Sequence, residues 1–441
     1  MSRQYLRRLV GLEPGEGWPA LMAGIMFFCL MTAYFIIKPL RDEMGIAGGV
    51  ENLPNLYLFT MGAMLLAAPL FGWVSRDRDR EAFLPLVYRF FGLNLLAFFL
   101  ALKFLPAADA WLGRVFYVWV GVFNMFSLSL FWGFMADGLG FRRGRRVFGV
   151  IAVGGTAGAV LGASLTEVLV PALGRINLLL ISLVFLEITI RMVKPLSGSF
   201  HRLPRDNDQA PHPQSSGSVL AGITLVLRSP YLLAICAFVV LYTLSSTILY
   251  LAQANLVAAA EGARAARAQL LARIEIWVQT ATLITQLTIT GRVMRRVGSG
   301  PLLAALPLAT AAGFVVLGLN PNLVALVVVQ VLRRTLRYAL VKPARESLFT
   351  PLGPDAQYRA KSFIDTFVYR GGDALGAGVY DVLARTAGLG LSGIAFAAVP
   401  ICLVWTLVAV HLGGRQRALA LGLSDPAISP ASEAAGLRRK P

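Results

Sequence analysis

Residues 302–319 read LLAALPLATAAGFVVLGL, a run without a single charged side chain. Residues 391–410, LSGIAFAAVPICLVWTLVAV, repeat that character. A helix needs about 20 predominantly apolar residues to cross the hydrocarbon core of a bilayer, and both runs have that length. The whole chain agrees with them: 56% of its 441 residues are hydrophobic and 15% are charged. Soluble domains lie near 45–50% apolar and about 25% charged. The composition therefore excludes a soluble enzyme and points to an all-α membrane protein.

Twelve spans are predicted, at 18–40, 53–74, 83–105, 113–136, 148–170, 175–193, 229–252, 269–291, 301–319, 322–342, 362–384 and 391–411. The first follows a basic stretch with Arg3, Arg7 and Arg8. Its apolar segment, 18–37, is too long for the 7–15-residue core of a signal peptide, and no small-residue cleavage site follows, so it is expected to stay as a span. The domain organisation predicted is an N-terminal six-helix bundle at 1–195, a cytoplasmic linker with a short interfacial helix at 196–228, a C-terminal six-helix bundle at 229–414 and a cytoplasmic tail at 415–441. The linker centre, SGSFHRLPRDNDQAPHPQSSGS (197–218), is too polar and too rich in Pro and Ser to bury a core.

The net charge of +18 is placed by this layout. Of the 41 basic residues, 30 lie on the side shared by the two termini and 9 on the other, with Arg89 and Arg370 inside spans. The positive-inside rule then puts both termini in the cytoplasm of a bacterial inner membrane. The basic excess reads as topology and attraction to anionic lipid, not as nucleic-acid binding. Arg outnumbers Lys 35 to six, which suggests a GC-rich genome.

Cys29, Cys236 and Cys402 are scattered through apolar runs, and His201, His212 and His411 share no spacing with them. No metal and no cofactor is expected. There is no G-x-x-x-x-G-K-[ST] phosphate loop and no room for a soluble ATPase domain, so the chain is expected to be a secondary transporter and not an enzyme.

Two halves are also suggested by a weak repeat. GWVSRDRDRE from Gly72 and GRVMRRVGSG from Gly291 both place a glycine at a helix end before a basic turn. Helix five carries Gly154, Gly158 and Gly162, and helix eleven carries Gly372 and Gly376, a four-residue spacing that lets helix backbones approach closely. Parallel repeated halves are the plan of major-facilitator transporters.

Helices nine and twelve are nearly pure hydrocarbon and are expected to face lipid. Helix eight carries Glu275, Gln279, Thr282, Gln286 and Thr290 along one face, and helix seven carries Tyr242, Ser246 and Gln253. Such polar stripes mark either a wet cavity or a polar seam. Charges within spans cost about 2.5–3.5 kcal/mol each even on a lenient scale. They include Arg333, Arg334 and Arg337 in helix ten, Asp365, Arg370, Asp373 and Asp381 in helix eleven, and Lys38, Arg41 and Asp42 at the end of helix one beside Tyr34 and the helix-breaking Pro39. Snorkelling, a structural ion pair and an interface anchor are the bland alternatives for these three groups. The embedded charge is mainly guanidinium, whose planar fork donates two hydrogen bonds to a phosphate at once. A small anionic substrate is therefore the expected partner. Asp365, Asp373 and Glu275 are candidate resting partners for the arginines.

Five stretches, AYFIIKPLRDEMG (33–45), SLFWGFMADGLG (129–140), LVLRSPYLL (225–233), KPARESLFT (342–350) and AKSFIDTFVYRGGDALG (360–376), resemble the ATP:ADP antiporter family of nucleotide transporters. The resemblance implies a major-facilitator-like fold and exchange of nucleotides without hydrolysis. It implies substrate roles for Arg41, followed by Asp42, and for Glu275. Where exchangers of this family carry an acid early in helix four, this chain reads VWVGVFNMF (118–126), and Asn124 is the polar group available there. Three readings stay open: a nucleotide exchanger, a major-facilitator transporter of another anionic metabolite coupled to protons through Asp365 or Asp373, and a non-transporting membrane scaffold. Membrane lipids are the other expected partner, nucleic acid is not one, and a monomer is expected.

The topology has a direct check. A reporter active only in the cytoplasm is expected to work when inserted within 204–218 and to be silent when inserted after Asn320.

Overall fold

A computed structural model describes residues 13, 15–75, 79–203, 219–352 and 354–420. No strand occurs among them. They form twelve long helical runs and one short helix, close to the predicted spans. The first is α1 (Gly17–Ala47), followed by α2 (Leu53–Ser75) and α3 (Arg80–Phe104). Next, α4 (Pro106–Gly140) and α5 (Val147–Leu173) are joined at a kink where Gly140 takes φ +68°. Only glycine enters that region freely, so the GLGFRRGRR segment can turn a continuous helical ladder into two spans. After α6 (Leu178–His201) comes the short α7 (Val219–Arg228), then α8 (Pro230–Ala260).

The later helices are less regular. Residues 264–297 form α9, in which Arg264–Thr285 passes through a π turn at Gln286–Thr290 into Gly291–Val297. The straight α10 spans Ser299–Leu319. Residues 323–346 form α11, with a π turn at Arg337–Val341. Residues 354–386 form α12, with π turns at Ile364–Val368 and Val382–Thr386. Finally α13 spans Leu391–Ala420. Seven of these runs, α1, α3, α4, α5, α8, α10 and α13, are long and apolar enough to cross a membrane by length and composition. In α9, α11 and α12, charges and π turns interrupt the apolar windows.

Several boundaries differ from expectation. Pro39 does not end the first helix, which runs eight residues further to Ala47. A proline ring removes one backbone bond, and the packed neighbours of α1 hold the helix through it. The linker was expected from 196, yet α6 continues to His201. The tail was expected from 415, yet α13 continues to Ala420. The centre of the linker, 204–218, and the tail from 421 lie outside the described residues.

The chain divides into two compact units. Unit 1 comprises 1–210 together with 254–283, and unit 2 comprises 211–253 with 284–441. The division differs most from the sequence-based domains at 254–283, the end of α8 and most of α9, which pack with the N-terminal bundle.

Unit 1 is built on the α1/α5 seam. A Cβ on Gly154 would sit 2.5 Å from the carbonyl oxygen of Gly24, one on Gly162 would sit 2.5 Å from that of Thr32, and one on Gly158 would be closer still to Phe28. The bare backbones therefore touch. Thr32 Oγ1 donates to the Gly158 carbonyl at 3.1 Å, and Thr166 Oγ1 to the Ile36 carbonyl at 3.2 Å. On the far side of α1, Ser182 of α6 donates to the Ala33 carbonyl at 2.8 Å. Rings from α3 and α4 fill the remainder, with Trp119 stacked on Phe123 at 5.4 Å and Phe91 edge-on to Phe123 at 5.2 Å.

Unit 2 repeats the device between α8 and α12. A Cβ on Gly376 would meet Leu244 Cα at 2.9 Å, and one on Gly372 would meet Val240 Cα at 3.0 Å. The other wall is α10 against α13, where Gly300 faces Gly413 backbone to backbone. The apolar α10 is expected to face lipid, and one face of it is exposed: Leu308, Val316 and Leu319 lie at the surface, while Leu303, Leu306 and Phe314 are buried.

The seams set a stability test. Gly158→Val and Gly376→Val are each expected to cost about 1–3 kcal/mol or more through overpacking. Both should lower the melting temperature of the purified protein. Gly378→Ala, which meets nothing within 4 Å, should leave it unchanged.

Candidate functional site

The candidate residues fall into the two units. Lys38, Arg41, Asp42, Asn124, Glu275 and Gln279 belong to unit 1, and Arg333, Arg334, Arg337, Asp365, Arg370 and Asp373 to unit 2.

In unit 1 the 254–283 segment brings Glu275 to Lys38, with Nζ to Oε1 at 2.6 Å. Glu275 is 4% exposed, so the carboxylate has left water and its ammonium partner compensates it. Gln279 lies one turn on along α9 and is buried. Arg41 stacks its guanidinium over the Tyr117 ring at 3.9 Å, donates to the Tyr117 carbonyl at 3.2 Å and approaches Asp42 at 3.3 Å. Asn124 is half-buried on α4.

Sequence reasoning passed over a second charge cluster in this unit. Glu43 accepts from Arg264 Nε at 2.5 Å and Nη2 at 3.3 Å, and lies 3.7 Å from Arg175 Nη1. Asp109 accepts from Arg175 Nη2 at 3.0 Å and also from Arg264. Two acids and two arginines thus alternate around one point. Beside them Arg273 Nε donates to Glu167 at 2.7 Å. Helix ends far apart in sequence converge here, and their spacing alone gives no signal of it.

In unit 2, α8, α11 and α12 bring together Tyr242, Arg333, Arg337, Tyr338, Tyr369, Arg370 and Asp373. Arg337 donates from Nη2 to the Tyr369 hydroxyl at 2.7 Å, and its guanidinium lies 4.7 Å from the Tyr242 ring centre and 4.9 Å from that of Tyr338. Arg370 Nη1 donates to Asp373 Oδ2 at 3.1 Å, the i,i+3 pair expected from the sequence. Thr247 adds a longer bond to Asp373 Oδ1 at 3.4 Å. Arg333 is 2% exposed and lies 5.6 Å from the Tyr242 ring centre. Arg334, half-buried, lies 6.0 Å from the Tyr338 ring centre.

Two expected resting partners sit elsewhere. Glu275 belongs to unit 1 and pairs with Lys38. Asp365 lies 3.0 Å from Arg345, which also reaches Glu346 at 3.6 Å, and Lys361 pairs with Glu346. The π turn at Ile364–Val368 separates Asp365 from the turn that carries Arg370 and Asp373. Asp373 is therefore the acid that meets the arginine group. Tyr242 lay on the polar stripe of helix seven, while Tyr369 and Thr247 were missed, since a hydroxyl in a span draws no attention until its partner is known. Among the described residues no group of His, Cys, Asp and Glu could hold a metal ion.

No protein-family model matches the chain, and no curated protein matches it in sequence. Its fold is matched by solved structures. The nucleoside transporter NupG superposes with a TM-score of 0.54 at 15% identity over 91% of this chain and 99% of that one. The fucose:proton symporter FucP of E. coli superposes with a TM-score of 0.60 at 15% identity over 91% of this chain and 98% of that one. The chain is thus a multi-pass helical membrane protein with a fold of the major-facilitator type.

The Lys38–Glu275 pair has its own test. Lys38→Met or Glu275→Met alone strands a buried charge and is expected to cost about 3–5 kcal/mol, whereas the double Met variant should recover most of the loss. Melting curves of the three proteins without substrate check it.

Proposed function

We propose that the protein is a secondary transporter of a small phosphate-bearing anion, with nucleotide exchange as its leading specific activity. The observation that carries this reading is the charge imbalance of unit 2. Arg333 and Arg337 lie against the Tyr242 ring, and of the three guanidiniums Arg333, Arg337 and Arg370 only Arg370 forms an ion pair among the described residues, with Asp373. The hydrogen-bond partner of Arg337 is the neutral phenol of Tyr369. Unpaired cations in a span are costly and mark substrate pathways. Arg337 and Arg370 are half-buried, which leaves them accessible.

A phosphate offers each of them a bidentate acceptor. Binding would draw Arg370 from Asp373 and free that carboxylate to pair elsewhere, so bound and unbound states differ in their contacts. Such differential contact is what a ligand needs to shift a conformational equilibrium. The resemblance of the five stretches to ATP:ADP antiporters supports a nucleotide as the phosphate carrier, and one of the fold neighbours, NupG, is a nucleoside transporter. Lys38, Arg41 and Asn124 of unit 1 are the other candidate contacts. Transport of a different anion by the same arginines is the second reading, favoured by Asn124 standing where family members carry an acid.

A ligand that binds the folded state alone raises its apparent stability. Purified protein is therefore expected to melt at higher temperature with ATP or ADP than with adenosine. Arg337→Gln and Arg370→Gln should each weaken that half-saturation about tenfold or more, since a charged hydrogen bond contributes about 1.5–3 kcal/mol. Stabilisation by adenosine equal to that by ADP would remove phosphate from the recognition. Stabilisation by another phosphorylated metabolite and not by nucleotides would select the second reading.

A further inference from the structure

Behind the accessible arginines, unit 2 encloses a group of hydrogen-bond donors that have no acceptor. Arg333 of α11 is 2% exposed, and its Nε and Nη2 atoms are fully buried without a protein partner. Tyr242 of α8 is buried, and its hydroxyl has no partner. Trp405 of α13 is 0% exposed, and its indole N–H has none. The three belong to one cluster. The Arg333 guanidinium lies 5.6 Å from the centre of the Tyr242 ring, and the Trp405 ring, on another helix, lies 5.8 Å from that same ring. Among the described residues, Arg333 forms no ion pair, and the Asp373 carboxylate pairs with Arg370 and accepts from Thr247.

The chemistry of this set is one-sided. Guanidinium and indole can only donate, and the phenol can donate. A cation withdrawn from water without a counter-charge is far more costly than an ordinary unsatisfied polar group. A carboxylate from a neighbouring helix would neutralise it, but the ring that lies against Arg333 is the phenol of Tyr242, which in turn packs on the Trp405 indole. The cluster therefore asks for an acceptor that bears a negative charge and brings no bulk, because all three side chains are buried almost completely. A monatomic anion brings less bulk than a phosphate with its four oxygens.

We propose that Arg333, Tyr242 and Trp405 hold a resident halide, chloride under ordinary conditions, as a site separate from the substrate contacts at Arg337 and Arg370. The halide accepts from the two Arg333 N–H groups, the Tyr242 hydroxyl and the Trp405 indole, and so ties α11, α8 and α13 together. It also cancels one positive charge beside the substrate arginines without occupying them.

The test uses the full chain, purified in detergent and exchanged into sodium gluconate. Chloride and bromide, titrated at constant ionic strength, should raise the melting temperature along a saturating curve. Equilibrium dialysis with radioactive chloride should find one ion per chain. Arg333→Gln should abolish both signals. Tyr242→Phe and Trp405→Phe, which keep the rings and remove one donor each, should raise the half-saturating chloride concentration several-fold, so the site stays testable even if the Arg333 variant fails to fold. Arg370→Gln should leave the chloride response intact, which keeps this outcome distinct from the nucleotide test. The proposal is overturned if chloride binding is absent, if it persists in Tyr242→Phe and Trp405→Phe at wild-type affinity, or if phosphate or nucleotide displaces it competitively and takes over the dependence on Arg333.

Discussion

Two helix pairs approach until their backbones touch, α1 with α5 and α8 with α12, and both do so on glycines spaced four apart. In a bilayer there is no hydrophobic force between apolar helices, so association rests on close packing and on bonds across the contact. Glycine supplies the first, and threonine the second, as Thr32 and Thr166 show in unit 1. The unit 2 contact also builds the site. Asp373 stands between Gly372 and Gly376, so the closeness that those glycines permit sets its carboxylate against Thr247 of α8. Arg370, one turn earlier, then finds it. A bulkier residue at Gly376 would push away the helix that carries both halves of the pair.

The units treat embedded charge differently. In unit 1 the cations of the two clusters meet carboxylates: Lys38 meets Glu275, Arg41 meets Asp42, and Arg175 and Arg264 share Glu43 and Asp109. In unit 2 tyrosine takes the place of several carboxylates. An aromatic face attracts a guanidinium by about 0.5–2 kcal/mol, and a phenol oxygen accepts a hydrogen bond, but neither cancels the charge. Among the described residues Arg333 and Arg337 are oriented without meeting a carboxylate, so they retain a potential that an anion could satisfy.

The fold was largely legible from periodic apolar length. The span limits, the glycine equivalence of helices five and eleven and the Arg370–Asp373 pair all follow from local sequence, since each depends on residues within a few turns of one helix. The misreadings were of other kinds. Pro39 was read as able to break or kink the first helix, and the helix continues through it to Ala47. Asp365 was a candidate partner as one of the few acids embedded among the arginines, and it pairs instead with Arg345, which lies outside the π turn that holds Asp365. The placing of 254–283 with unit 1 rests on Arg264, Arg273 and Glu275 finding acids and a lysine more than 90 positions away. Pairing across such a distance leaves no trace in a single sequence. The grouping of Arg333, Tyr242 and Trp405 was hidden for the same reason: the sequence singles out Arg333 and Tyr242 separately and Trp405 not at all, and only their shared lack of acceptors joins them.

The π turns complete the account of α11. A π turn inserts one residue and leaves a carbonyl without its usual partner, a cost that membrane helices meet with hydroxyl side chains. Here Thr290 Oγ1, itself in the π turn of α9, donates to the Ala339 carbonyl in the π turn of α11 at 3.0 Å. The two irregularities therefore support each other. Arg337 is the first residue of its π turn and Arg333 lies in the regular helix before it. The two still sit four apart on one face, with the Arg337 N–H bonded to the Arg333 carbonyl, and both guanidiniums lie against the Tyr242 ring, at 4.7 and 5.6 Å. The wider turn begins at Arg337, which donates to the Tyr369 hydroxyl and is half-buried, while Arg333, one turn earlier, is enclosed.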